Sequence, residues 1–99
     1  MALTVLITRD VEGRYRGFLS SAMLEVAPGV YASPNLSQRS REQIWGVLSR
    51  WHTQLGQGAI TLIYPDRQED GGMAVRNLGS PPRQPVRLDG VLLTMRVNK

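Results

Sequence analysis

Cations are the residues of this chain best placed to do chemistry. Eleven of its twelve basic side chains are arginines, with Arg14 two residues from Arg16, Arg39 two residues from Arg41, and Arg83 following two prolines. An arginine offers a planar, permanently charged fork that matches phosphate oxygens, whereas solubility alone could be served by lysine. A formal net charge of +4 on 99 residues therefore points to an anionic partner, nucleic acid first. The alternative is a solvated face whose arginines stand for lysines in a GC-rich genome.

Asp10, at the end of an apolar run, is expected to cap the helix that follows, a common task for aspartate at that place. One histidine and no cysteine cannot make a zinc site, so His52 reads as a surface or satisfied half-buried ring. Trp45 and Trp51 could stack on nucleobases, but their place beside Ile44, Leu48 and Leu55 makes them core residues first. Ser20, Ser21, Ser33 and Ser37 have no evident base, and Asp66 to Gly72 lacks calcium-loop spacing and reads as a solvated turn.

These side chains are carried by elements with clear periodicity. Leu3 to Thr8 is an apolar, β-branched run that predicts a central strand. Tyr15, Phe18, Leu19, Ala22 and Met23 fall at three-and-four spacing, which predicts a helix over about Glu12 to Ala22 with Arg14 and Arg16 on its first turn. Pro28-Gly29 suits a type II turn inside a short hairpin from Leu24 to Ala32. A second helix begins after Asn35, capped by Ser37, with Ile44, Val47 or Leu48, Trp51 and Leu55 inward and Gly56 or Gly58 as its stop. Arg39, Arg41 and Arg50 are left mostly outward.

Ala59 to Tyr64 and Met73 to Leu78 predict two paired strands, and Gly79 to Gln84 an extended connector excluded by Pro81-Pro82 from a sheet interior. The last strand alternates, with Val91, Leu93, Met95 and Val97 on one face. The order predicts one α+β domain over residues 1–99, a ferredoxin-like βαββαβ core with additional C-terminal strands, in which 79–99 is a connector plus a strand able to dock on a partner. Two helices on one sheet face leave the other bare, so sheets packed face to face in a homodimer are expected. No apolar run is long enough to span a membrane, and the opening residues lack the pattern of a signal peptide, so a soluble cytoplasmic protein is expected.

The chain resembles the CRISPR-associated Cas-two family, specifically its type I-E branch. The resemblance is carried by Arg14-Tyr15-Arg16-Gly17, by Leu24-Glu25-Val26 through Pro28-Gly29-Val30-Tyr31, by Arg41-Glu42-Gln43-Ile44-Trp45, and by Pro85-Val86-Arg87-Leu88-Asp89-Gly90. It implies a homodimer at the centre of the spacer-acquisition complex, between two dimers of the CRISPR integrase, with a double-stranded DNA prespacer lying across it. By the same resemblance Arg14 and Arg16 match arginines that meet the DNA backbone. Arg39 and Arg41 match basic positions of the second helix, and Arg83 matches one member of a basic pair whose other member is here Pro82. The segment from Val91 onward matches the part that docks on the integrase. Many members of the wider family are described as Mg²⁺-dependent endonucleases acting on RNA or DNA, with a catalytic, metal-binding aspartate after the first strand. Asp10 is the candidate for both roles, although Arg9 stands where the type I-E pattern commonly has a carboxylate.

Overall fold

The computed structural model describes residues 3–97. Its elements run β1 (Thr4–Arg9), α1 (Gly13–Ala22), β2 (Leu24–Ala27), β3 (Val30–Ser33), α2 (Gln38–Leu55), β4 (Ala59–Pro65), β5 (Met73–Leu78), β6 (Arg83–Leu88) and β7 (Val91–Arg96), with a 3-10 turn at Asp70–Gly72 before β5. Five strands make one antiparallel sheet in the order β2-β3-β1-β4-β5, while β6 and β7 pair only with each other. Within the large sheet β2 runs parallel to β1 and β4 parallel to β3, each pair being bridged by a helix with a strand of the other pair between them. This interleaving is the ferredoxin-like α+β core expected from the order of elements. No helix among the described residues is long and apolar enough to cross a membrane.

The pleat sorts the side chains. Leu6 of β1, Tyr31 of β3, and Ile60 and Leu62 of β4 point to the helices and are buried with Tyr15, Leu19 and Leu48. Their neighbours Val5, Ile7, Val30, Ala32, Ile63 and Val75 share the opposite face by strand register, and no helix covers it. Trp51 fixes the two helices to each other, its ring meeting Tyr15 edge-on at 5.3 Å and Phe18 at 5.4 Å. Ser37 caps α2 by accepting the Ser40 amide at 3.1 Å, and the helix stops at Gly56 in the left-handed region. The Pro28-Gly29 turn is tied to β1, where the Thr8 amide and hydroxyl both donate to the Gly29 carbonyl, at 2.7 and 3.0 Å. Gly29 has φ 75°, and a Cβ there would press on the Thr8 carbonyl oxygen, so only glycine fits.

Two local expectations change. Asp10 does not cap α1: it sits at φ 57°, and the N-cap residue is Glu12, whose side chain makes no capping bond. The chain leaves β1 through a left-handed corner at Asp10 and needs two more residues before the helix begins. The connector predicted over Gly79 to Gln84 ends sooner, because β6 starts at Arg83 and supplies the partner of β7, with Pro85 opposite Thr94. A proline is tolerated there since a two-stranded hairpin consists only of edge strands. The missed signal is Asp89-Gly90, whose φ values of 50° and 78° make the tight turn that joins two strands. The hairpin is anchored by the Arg83 amide on Asn77 Oδ1 at 3.2 Å, by the Arg87 amide on Asp70 Oδ2 at 2.9 Å, and by Leu92 against Gly71.

Tyr15 is fully buried, and its hydroxyl is a buried side-chain polar atom without a hydrogen-bond partner among the described residues. Burial pushes this phenol above its ordinary value of 10.0. Replacing Tyr15 by Phe keeps the edge-on ring contact and removes an unsatisfied group, so urea unfolding of Tyr15→Phe is expected to show unchanged stability or a gain of about 1 kcal/mol. A clear loss would contradict this account of the core.

Candidate nucleic-acid interface

The first turn of α1 carries two cations for a sequence reason: Tyr15 must point inward, so Arg14 and Arg16 on either side of it are turned out. Each meets a carboxylate. Arg14 Nε donates to Glu12 Oε1 at 2.8 Å and its guanidinium lies 5.7 Å from the centre of the Trp51 ring. Arg16 stands 3.4 Å from Glu25 Oε1 with its side chain 73% exposed. Glu25 also acts on Tyr31, whose phenol is raised above 10.0 by burial and then by the Glu25 charge. Below these arginines an open cleft runs between the start of α1 and the β2–β3 turn, lined by Thr8, Asp10, Glu12, Arg16, Glu25 and Gly29 among others.

The second arginine pair lies elsewhere. Trp51, which touches Arg14, is twelve residues along α2 from Arg39, and at helical rise this is about 18 Å. Phe18 and Ala22 of α1 line a groove with Leu36, Ser40 and Ile44, which puts the end of α1 beside the start of α2. The helices therefore run antiparallel, and Arg39 and Arg41 sit at the opposite end from Arg14 and Arg16. Arg39 is exposed and forms no ion pair among the described residues. Arg41 is different: its side chain is only 14% exposed, lies 3.8 Å over the Tyr64 ring and donates to Glu42 Oε2 at 3.2 Å.

Glu42 is the centre of a clamp that the spacing of residues did not reveal. Arg76 Nη1 donates to both of its oxygens, at 2.8 and 2.9 Å, and the Arg76 guanidinium faces Trp45 at 5.1 Å. The clamp ties α2 to β5 across 34 residues of sequence, a distance over which no periodicity speaks. Glu12 and Glu25 were likewise unpredicted as arginine partners, since neither stands at the helical three-or-four spacing that flags an ion pair.

On the C-terminal hairpin Arg83 is exposed and lies directly opposite Arg96. Two like charges in register repel and gain from an anion between them. The other hairpin face carries Leu88, Val91, Leu93 and Met95, between 49% and 55% exposed, with Val97 continuing their alternation and its amide bonded to the Pro82 carbonyl. The predicted partner-binding residues are thus one apolar stripe.

Asp10 is exposed, and its own carbonyl accepts Gln57 Nε2 at 3.0 Å. Among the described residues no three His, Cys, Asp or Glu side chains come close enough to hold a metal ion. The described residues of one chain thus form no Mg²⁺ cluster by themselves. His52 Nε2 bonds the Gly58 carbonyl at 3.0 Å and serves as the satisfied half-buried ring anticipated above.

A family model described as CRISPR-associated protein (Cas_Cas2CT1978) matches residues 3–93, and the chain belongs to that family.

The clamp has a pH signature. Hydrogen bonding from Arg76, with a smaller part from Arg41, holds the Glu42 carboxyl below its ordinary value of 4.5 against partial desolvation. A depressed carboxyl stabilises the folded chain fully above 4.5 and loses that effect as pH falls through the lowered folded value. Unfolding of wild type and Glu42→Gln should accordingly differ at about pH 7 and converge progressively as the pH falls below 4.5. A gap that does not narrow in acid would remove the charge from the explanation.

Proposed function

We propose that this member of the CRISPR-associated family is a double-stranded DNA-binding scaffold of spacer acquisition, of the type I-E branch, working in the cytoplasm as a homodimer that bridges CRISPR integrase dimers and holds the prespacer. The observation that carries the reading is the C-terminal hairpin, where every residue of β7 is exposed and one face is an apolar stripe. A two-stranded hairpin is at best marginally stable in water, and such a stripe of apolar side chains marks a surface that another chain covers. The bare face of the large sheet supports a second copy of this chain as a further partner, since Ile7, Leu24 and Val26 are exposed along it or at its edge.

Arg14, Arg16, Arg39 and Arg83 are the proposed DNA contacts. All four are exposed; Arg14 and Arg16 each hold one carboxylate, and Arg39 and Arg83 form no ion pair among the described residues, so a phosphate can reach them. Arg41 shares the sequence signal but is folded over Tyr64, and its share in DNA binding is proposed as the smaller one. The antiparallel helices put Arg14 and Arg39 at opposite ends of one chain, a span of about five base-pair steps of duplex. The endonuclease alternative, with Mg²⁺ and Asp10, would require a second Asp10 from another copy as ligand and an answer to the charge of Arg9.

Two measurements test the reading. Co-purification with the integrase should succeed with the full chain and fail once residues after Asp89 are removed; no complex in either case would refute the scaffold. Arg14→Ala combined with Arg16→Ala should weaken binding to short duplexes by a similar factor whatever their sequence, and flatten the salt dependence by at most about two ions per protomer, less where a released carboxylate takes up a cation. Loss confined to particular sequences would mean that these arginines read bases.

A further inference from the structure

Resting on that DNA-binding reading, we propose that Glu12 and Glu25 are affinity-setting residues: their carboxylates occupy the arginines that a duplex must take, so that phosphates bind by displacing them. The contact of Glu12 with Arg14 spans two residues inside one turn of chain and fastens no element to another. Exposed ion pairs of this kind contribute little to folding. Glu12 also declines the role its position offers, since it is the N-cap residue yet makes no capping bond. Its carboxylate is directed to the Arg14 guanidinium instead, at 2.8 Å, where an incoming phosphate oxygen would have to stand.

Glu25 does the same for Arg16 from across the cleft. Its 3.4 Å separation is loose and the arginine is largely in solvent, so the pair can open without disturbing the strand that bears it. Glu42 is the contrast that gives the two their meaning. It is bound by Arg76 and Arg41 together and joins α2 to β5, so its removal acts on the fold. Glu12 and Glu25 face two exposed arginines proposed to meet the duplex, and their removal acts on the ligand. A phosphate that takes Arg14 releases the Glu12 carboxylate to water, where it gathers a cation. That uptake cancels one of the cations the duplex sheds, so each guard both weakens binding and lowers its salt dependence.

The experiment is fluorescence anisotropy of a short labelled duplex over a series of salt concentrations, with unfolding midpoints measured to show that each variant folds. Glu12→Gln is expected to tighten binding about threefold to tenfold at low salt and to steepen the salt slope by up to about one ion per protomer. Glu25→Gln should act in the same direction. Asp89→Asn makes the same charge change in the remote β6–β7 turn and should leave affinity where it was. In an Arg14→Ala background Glu12→Gln should change nothing, because the guard acts through its arginine. The proposal is overturned if Glu12→Gln and Glu25→Gln bind as wild type does, or if the Glu12→Gln gain survives in Arg14→Ala, which would make it a general effect of net charge. Wild type showing no salt-dependent duplex binding at all is a different result: it would overturn the DNA-binding reading and this proposal with it.

Discussion

Helices of 10 and 18 residues can cover one face of a five-stranded sheet and no more. That constraint shapes the molecule. On the covered side Leu6, Tyr31, Ile60 and Leu62 meet Tyr15, Leu19 and Leu48, and each such side chain contributes roughly 1.5–3 kcal/mol by leaving water. On the other side Val5, Ile7, Val30, Ala32, Ile63 and Val75 are as apolar as any core, yet the described chain has only the β6–β7 hairpin left to set against them. The hairpin is anchored along β5 and the Asp70–Gly72 turn, and turns its own apolar stripe outward. Burial that one chain cannot complete is thus displaced onto two surfaces, and both have the character of interfaces.

Charge is divided as sharply as burial. Arg41 and Arg76 lie on aromatic rings and converge on one carboxylate, an arrangement that needs the planar guanidinium and would be lost with lysine. Their interaction joins parts of the chain far apart in sequence. Arg14 and Arg16 each pair with a single carboxylate, Arg14 also lying at the rim of the Trp51 ring, and Arg39 and Arg83 are exposed without an ion pair among the described residues. The same residue type therefore does two different jobs, and what separates them is whether an aromatic ring lies beneath the guanidinium in a half-buried setting or at the rim.

Much of this was legible in the sequence where local spacing carries the information. The stripe from Tyr15 to Met23, the Ser37 cap, the Pro28-Gly29 turn and the alternation of β7 all follow from periods of 3.6 and 2 or from the backbone needs of single residues. What could not be read was of two kinds. The Glu42–Arg76 clamp depends on the sheet bringing β5 under α2, which no window of sequence contains. β6 is hidden for the opposite reason: its proline at position 85 and the Pro81-Pro82 pair before it disrupt the local strand pattern, and the signal lies outside the strand, in the Asp89-Gly90 turn. Of the candidate site, the identity of the exposed arginines was legible and their grouping was not. Arg39 and Arg14 fall at opposite ends of the helical layer only because the two helices run antiparallel.

Asp10 shows how a backbone can account for a residue that looks chemical. The carbonyls of Arg9 and Asp10 come so close to Gly58 that a Cβ there would collide with both, and Gln57 donates to the Asp10 carbonyl from the same turn. The end of β1 is thereby clamped against the exit of α2, and the chain escapes toward α1 only through a left-handed residue at φ 57°. Aspartate and asparagine are among the few side chains that take this conformation readily, because a short polar group can bond locally. Asp10 thus suits the corner it turns, as asparagine or glycine would, while Glu12 and Glu25 are carboxylates of the neighbouring surface that face arginines.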